Sequence, residues 1–379
     1  MSRGSTASGG NHFFFCPPDA DFRTFVCFAV QCPTIMLSLA RLFQIAFMVT
    51  LTLPAAAQAP TATAQTSPVQ AAKQDDAQAI DKWTDFSATN VAFLSGAAWL
   101  GGCEKTACGV YRIDPETHKV ISAVAMDKPP YSIVAAFGSI WATNPTRDTV
   151  TRIDPVKGDV IETIQVGSTP AGLAAGEGAI WVTNLGGKSV SRIDPQSNKV
   201  AATIRVANYP EPVVVSDGAV WVGNAEACWG CVGSISRIDP RTNSVTKSIK
   251  TWKYGTEVHP TAMVAQSGIL WVMAGEHVLR IDTSANKIVK WIGIPQKRLF
   301  SMPEGLARPG RFGGLAVSGG EVYVADAQIH GLWKIDASSN QLSPEPRALN
   351  FPPSILAVSP DGNLWVSDDA DRVLMQIKP

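Results

Sequence analysis

Seven recurrences of one short pattern predict an all-β chain, folded as a seven-bladed β-propeller of four-stranded antiparallel blades. The first observation is an aromatic set inside an apolar strand such as AIWVTN, which recurs at Trp99, Trp141, Trp181, Trp221, Trp271, Tyr323 and Trp365. The second is a RIDP-type turn after each aromatic, beginning at Arg112, Arg152, Arg192, Arg237, Arg280, Lys334 and Gln376. These turns are 40, 40, 45, 43, 54 and 42 residues apart, the period of a propeller blade. The third is that AIWVTN is apolar on both faces. Ile180 and Val182 point one way and Trp181 the other. A sheet of such strands needs neighbours on both sides, and radial stacking supplies them.

Taken in chain order, residues 1–35 precede Met36, the better start, and read as an N-terminal extension outside the fold. Residues 36–57, MLSLARLFQIAFMVTLTLPAAA, have a short basic region, an apolar core and a small-residue end. They read as a secretory signal cleaved near Ala57. Gln44 and Pro54 leave an apolar run shorter than the ~20 residues a membrane span needs. A periplasmic or secreted protein without a stable membrane span is expected. Residues 58–78 lack aromatics and read as a flexible linker. Residues 79–379 are the propeller. The chain ends just after RVLMQIKP, so blade 7 has no fourth strand of its own. Residues 79–88, AIDKWTDFSA, are expected to join blade 7 as its outer strand and close the ring.

Residues 170–207 show one unit. Strand a is AGLAAG, a tight EG turn follows, and strand b is AIWVTN; after LGGK come strand c, SVSRID, the turn PQSN and strand d, KVAATIRV. Asp194 can accept a backbone hydrogen bond two residues on, Pro195 presets φ, and Asn198 takes a left-handed conformation. The equivalent residues are His118, Gly158, Asn243, Asn286 and Asn340. RIDP is thus a hairpin device, and His118 a turn residue.

Lys+Arg and Asp+Glu are both 32, which leaves no electrostatic footprint for nucleic acid. A monomer is expected. Four cysteines remain after the leader, in two close pairs: Cys103 with Cys108, and Cys228 with Cys231 in CWGC. The C-x-x-C spacing also occurs in redox motifs and half-zinc sites. A loop between strands offers no helix N-terminus to activate a thiol, so two local disulfides are the simplest assignment for an exported chain.

The residues WVTN and RIDP and the turn before KV resemble the YVTN-type repeat of exported bacterial propellers. They are also similar to the streptogramin (virginiamycin B) lyase-like propellers, over residues ~89–379. That resemblance implies catalytic histidines just after the proline that opens strand a, with an acidic partner and magnesium. Here those positions hold Tyr131, Ala171, Glu211, Thr261 and Pro353, and blade 6 has Phe312-Gly313 with no proline. None is histidine.

The d–a and b–c loops share one face, called top, and departures from the repeat concentrate there in blades 4 to 6. These are CWGC, IKTWKYGTEVHP and GIPQKRLFSMPEGLARPGRF. His259, His277 and His330, with Glu257 and Glu276, are the catalytic candidates, without a regular metal-ligand spacing. Strand b ends with Asn144, Asn184, Asn224, Asp326 and Asp368, a partial ring of ligand-contacting groups or turn caps. Glu211 and His259 complete the ligand-binding candidates.

The leading reading is an exported binding or scaffold propeller, without cofactor or metal. It would hold a small ligand, peptide or protein partner on its top face near blades 4–6. The alternative is a lyase-like or metal-assisted enzyme using the top-face histidines and acids, with magnesium or calcium. A quinoprotein-like redox enzyme is a third reading, for which no cofactor signature is present.

Overall fold

The computed structural model describes residues 86–117, 119–225, 233–253, 256–257, 259–295, 312–368 and 373–379. Over these residues the chain is all-β. Six four-stranded antiparallel sheets and one of three strands follow in chain order, each strand paired with its sequence neighbour, and a two-stranded ribbon (Trp252–Lys253 with Thr256–Glu257) lies between blades 4 and 5 in sequence. In blade 3 the strands are Pro170–Gly176, Ala179–Asn184, Ser189–Asp194 and Lys199–Arg205. Strand a of each blade packs against strand a of the next. That of blade 7 (Ile355–Val358) packs against that of blade 1 (Phe86–Leu94), which closes the ring round a central channel. No helix among the described residues is long and apolar enough to cross a membrane. The extension, leader and linker at 1–78, and His118, lie outside the described residues.

Both faces of strand b are buried, as its sequence requires: every residue of Ser139–Asn144, Ala179–Asn184 and Ala219–Asn224 is buried. The reason is visible in seven apolar clusters, each joining one blade to the next. Trp181 of blade 3, for example, packs with Val213, Val220, Val222 and Ile238 of blade 4. Trp365 of blade 7 packs with Val91, Leu100 and Tyr111 of blade 1, and meets Phe93 edge-on at 5.3 Å. Each aromatic therefore belongs to an inter-blade interface, where dispersion contacts and apolar burial act together.

The turns obey local chemistry. Asp194 Oδ1 accepts the Gln196 N–H at 2.8 Å, and Asp114, Asp154, Asp239, Asp282 and Asp336 do the same two residues on. Asn198 follows at φ 55°, and Gly158, Asn243, Asn286 and Asn340 share its left-handed conformation. The a–b turns of blades 1 to 6 use two successive positive-φ residues, such as Glu177 (49°) and Gly178 (70°), the conformation that matches strand twist in a two-residue hairpin.

The arginine of RIDP does more than its turn predicts. It lies over the tryptophan of its own blade, as Arg152 does over Trp141 at 4.8 Å. It also reaches the turn of the next blade. Arg152 Nη1 donates to Pro195 O at 2.6 Å and Asn198 Oδ1 at 2.8 Å, and Arg192 does likewise to Pro240 O and Asn243 Oδ1. Where blade 5 has Thr283 in place of proline, Arg237 turns to Thr246 of its own blade. The link between blades is made instead by Thr283 Oγ1 to Asp217.

The expected closure needs correction at one end. Residues 86–88 open strand a of blade 1, where Phe86 pairs with Glu104 and Ala88 with Gly102. Strand b of blade 1 is long (Ala97–Glu104), so it gives these residues a partner inside their own blade. Ala88 is buried in the cluster that joins blades 1 and 7. Residues 79–85 lie outside the described residues, and the described sheet of blade 7 has three strands.

Candidate functional site

The prolines that open strand a pair with the ends of strand b: Pro170 with Asn184, Pro210 with Asn224, Pro260 with Ala274. They form the top rim of the channel. Below the rim is a cavity of about 670 Å³ with aliphatic walls from strand a, including Val91, Ile133, Val264, Leu315 and Leu356.

At the rim the structure joins two residues from the same position in different blades. The Tyr131 hydroxyl, just after Pro130 of blade 2, donates to Glu211 Oε1, just after Pro210 of blade 4. The bond crosses over strand a of blade 3. Gly172 makes this possible, because a Cβ there would lie 2.3 Å from Glu211 O. Thr183 Oγ1 donates to the same carbonyl at 2.9 Å and fixes the backbone of Glu211. In the d–a loop just before, Tyr209 has φ 43° and carries Lys188 Nζ 5.9 Å above its ring.

Glu211 is half-buried. Burial pushes its carboxyl above the usual carboxylate range, and the Tyr131 hydrogen bond offsets part of that. Among the described residues no cation contributes to the balance. The arrangement can hold a proton or a ligand cation.

The other predicted residues are placed differently. Asn184 is buried; its amide donates to Ser189 and Ser191 Oγ and its Oδ1 accepts from Gly167 N. Asn224 is buried too, and donates to Ser234 and Ser236. Asn144 accepts from Thr146 Oγ1, and Asp326 from Gln328 N and Trp333 Nε1. These four groups cap strand ends inside their blades, facing strand c and the loop backbone. The side chain of Asp368 lies outside the described residues.

His259 is half-buried beside Pro260. His277 opens strand c of blade 5 and meets Trp291 of strand d edge-on at 5.6 Å. His330 is exposed in the b–c turn of blade 6, and Glu276 is in that of blade 5, where its carbonyl accepts from Ile294 N. Among the described residues no three His, Cys, Asp or Glu side chains come together to hold a metal ion. The side chain of Glu257, and Cys228 and Cys231, lie outside the described residues. Cys103 and Cys108 are cross-strand partners with their sulfurs 2.07 Å apart.

Sequence reasoning named Tyr131 and Glu211 separately and missed that they meet. The available signal was positional: both follow the proline that opens strand a, two blades apart.

A closed ring of seven such sheets defines the class, a seven-bladed β-propeller similar to virginiamycin B lyase. No protein-family model matches the chain, and no curated protein does. Among solved structures, a catalytically inactive virginiamycin B lyase from Staphylococcus aureus with quinupristin superposes with a TM-score of 0.63 at 17% identity. The match covers 80% of this chain and 98% of that one. A streptogramin B lyase gives 0.62 at 15%, covering 79% and 95%. The hydrazine synthase of Kuenenia stuttgartiensis gives 0.66 at 15%, covering 80% and 98%. At these identities the likeness establishes the fold.

Proposed function

We propose that the protein is an exported binding propeller that holds a small ligand, peptide or protein segment on its top face, over the channel mouth. The observations that carry this reading are the Tyr131–Glu211 bridge at the strand-a openings and a cavity of about 670 Å³ lined by strand a of five blades. Ligand sites have that character: an apolar concavity with a few placed polar groups. Export is supported by the leader at 36–57 and by the Cys103–Cys108 pair, a bond that persists in oxidising compartments. The enzymes among the structural neighbours do not decide function here, because one fold carries many activities. The sequence pointed to blades 4–6; the bridge shifts the reading towards the mouth between blades 2 and 4.

The test is a ligand screen on the exported protein by native mass spectrometry, with hydrogen exchange on each hit. Protection at 131–134, 170–173 and 210–213 is expected. Protection confined to the c–d turns of the opposite face overturns the top-face reading. Conversion of a hit into product overturns the non-catalytic one.

A further inference from the structure

We propose that Glu211 and Tyr131 form a cation subsite, which takes the protonated amine or guanidinium of a ligand whose aliphatic body occupies the channel. This deepens the top-face reading and rests on it. Two features converge. Glu211 is a half-buried carboxylate whose described hydrogen-bond partner is a neutral phenol, and among the described residues no lysine or arginine neutralises it. A desolvated anion without a counter-charge is unfavourable, and a ligand cation relieves that cost. The Tyr131 ring, 46% exposed, flanks the carboxyl with a surface that suits an organic cation.

The throat supplies the second half of the specificity. Ile133, Val134 and Ala135 line the cavity on the strand that begins beside Tyr131. At 3.3 Å per residue they lie about 7–13 Å below it. A medium-length alkyl chain spans that depth, whereas a small inorganic cation leaves the apolar walls without a partner. The backbone is built for the crossing: Gly172 admits Glu211 over blade 3, and Thr183 holds its carbonyl. Lys188 stands over the Tyr209 ring.

The probes are n-octylammonium, n-octanol and octanoate, titrated calorimetrically into the full exported protein and into Glu211→Gln. Circular dichroism checks that the variant is folded. Octylammonium is expected to bind wild type roughly tenfold or more tightly than octanol, the scale of one charge-assisted hydrogen bond. Octanoate is expected to bind most weakly. Glu211→Gln should lose the ammonium preference and keep octanol binding. Equal binding of octylammonium and octanol to wild type, or an ammonium preference retained in Glu211→Gln, overturns the cation subsite and leaves the top-face site standing. Failure of octylammonium to bind wild type also overturns the subsite. The top-face reading is then decided separately by its hydrogen-exchange screen.

Discussion

On the bottom face, each turn aspartate is held by its own backbone, and arginines such as Arg152 and Arg192 reach into the next blade. On the top face, Glu211 leans across blade 3 to a tyrosine and has no cation beside it among the described residues. The two faces are made by the same strands. Repetition therefore builds the scaffold at one end, where the polar groups of one blade meet those of the next. At the other end the first residue after each opening proline varies, and the structure carries an acid that no described cation neutralises. The bottom should respond to mutation as framework and the top as a site.

The largest effect tests the framework as a whole. Leu374 lies in the cluster that joins blade 7 to blade 1, on the last strand, Val373–Ile377. A chain that stops before Leu374 loses that strand and its share of the closing interface. It is expected to yield no soluble folded protein, measured by expression and size-exclusion chromatography; a folded monomer would show that the ring does not depend on this closure.

Trp181→Ala comes next. The indole is fully buried between blades 3 and 4, so the substitution should cost about 3–5 kcal/mol in denaturant unfolding. Arg152→Ala should cost less, about 1.5–3 kcal/mol, for two hydrogen bonds from a charged donor to the turn of blade 3. Arg152→Lys should recover only part, because lysine has no counterpart to Nε, which donates to Ser139 Oγ at 2.9 Å while Nη1 reaches the next blade. If Arg152→Ala is neutral, the turns are local hairpins and the bottom face is not a clamp.

The scaffold was legible because its chemistry is local and repeated. Trp181 within AIWVTN required burial on both faces, and Asp194 and Asn198 specified their turn. The reach of Arg152 into blade 3 was not legible, because nothing in RIDP shows where the next blade stands. The Tyr131–Glu211 contact joins residues 80 apart in sequence, and only ring geometry brings them together. Asn184 and Asn224 were ambiguous for another reason. The end of a strand does not reveal whether its side chain faces the mouth or the serines of strand c, and here it faces the serines.

The smallest effects separate the two faces most directly, because their acids are shifted in opposite directions. The Ser338 hydroxyl and the Ser339 N–H hold Asp336 down at about 2, below its ordinary 3.8. Its contribution to stability is therefore present above the ordinary value and lost as pH falls through about 2. Asp336→Asn should melt lower than wild type at neutral pH, and the gap should close between pH 4 and pH 2. Glu211 is raised by burial, so the folded state holds its proton more tightly than the unfolded chain does. Its ionised form is a cost at neutral pH, relieved as pH falls through the raised value. Glu211→Gln should melt higher than wild type at pH 7, with the gap closing in acid, and addition of octylammonium should raise wild type towards the variant. A lower melting temperature for Glu211→Gln at pH 7 would mean that the carboxylate is a satisfied framework group. The contrast between the faces would then reduce to a difference in sequence without a difference in chemistry.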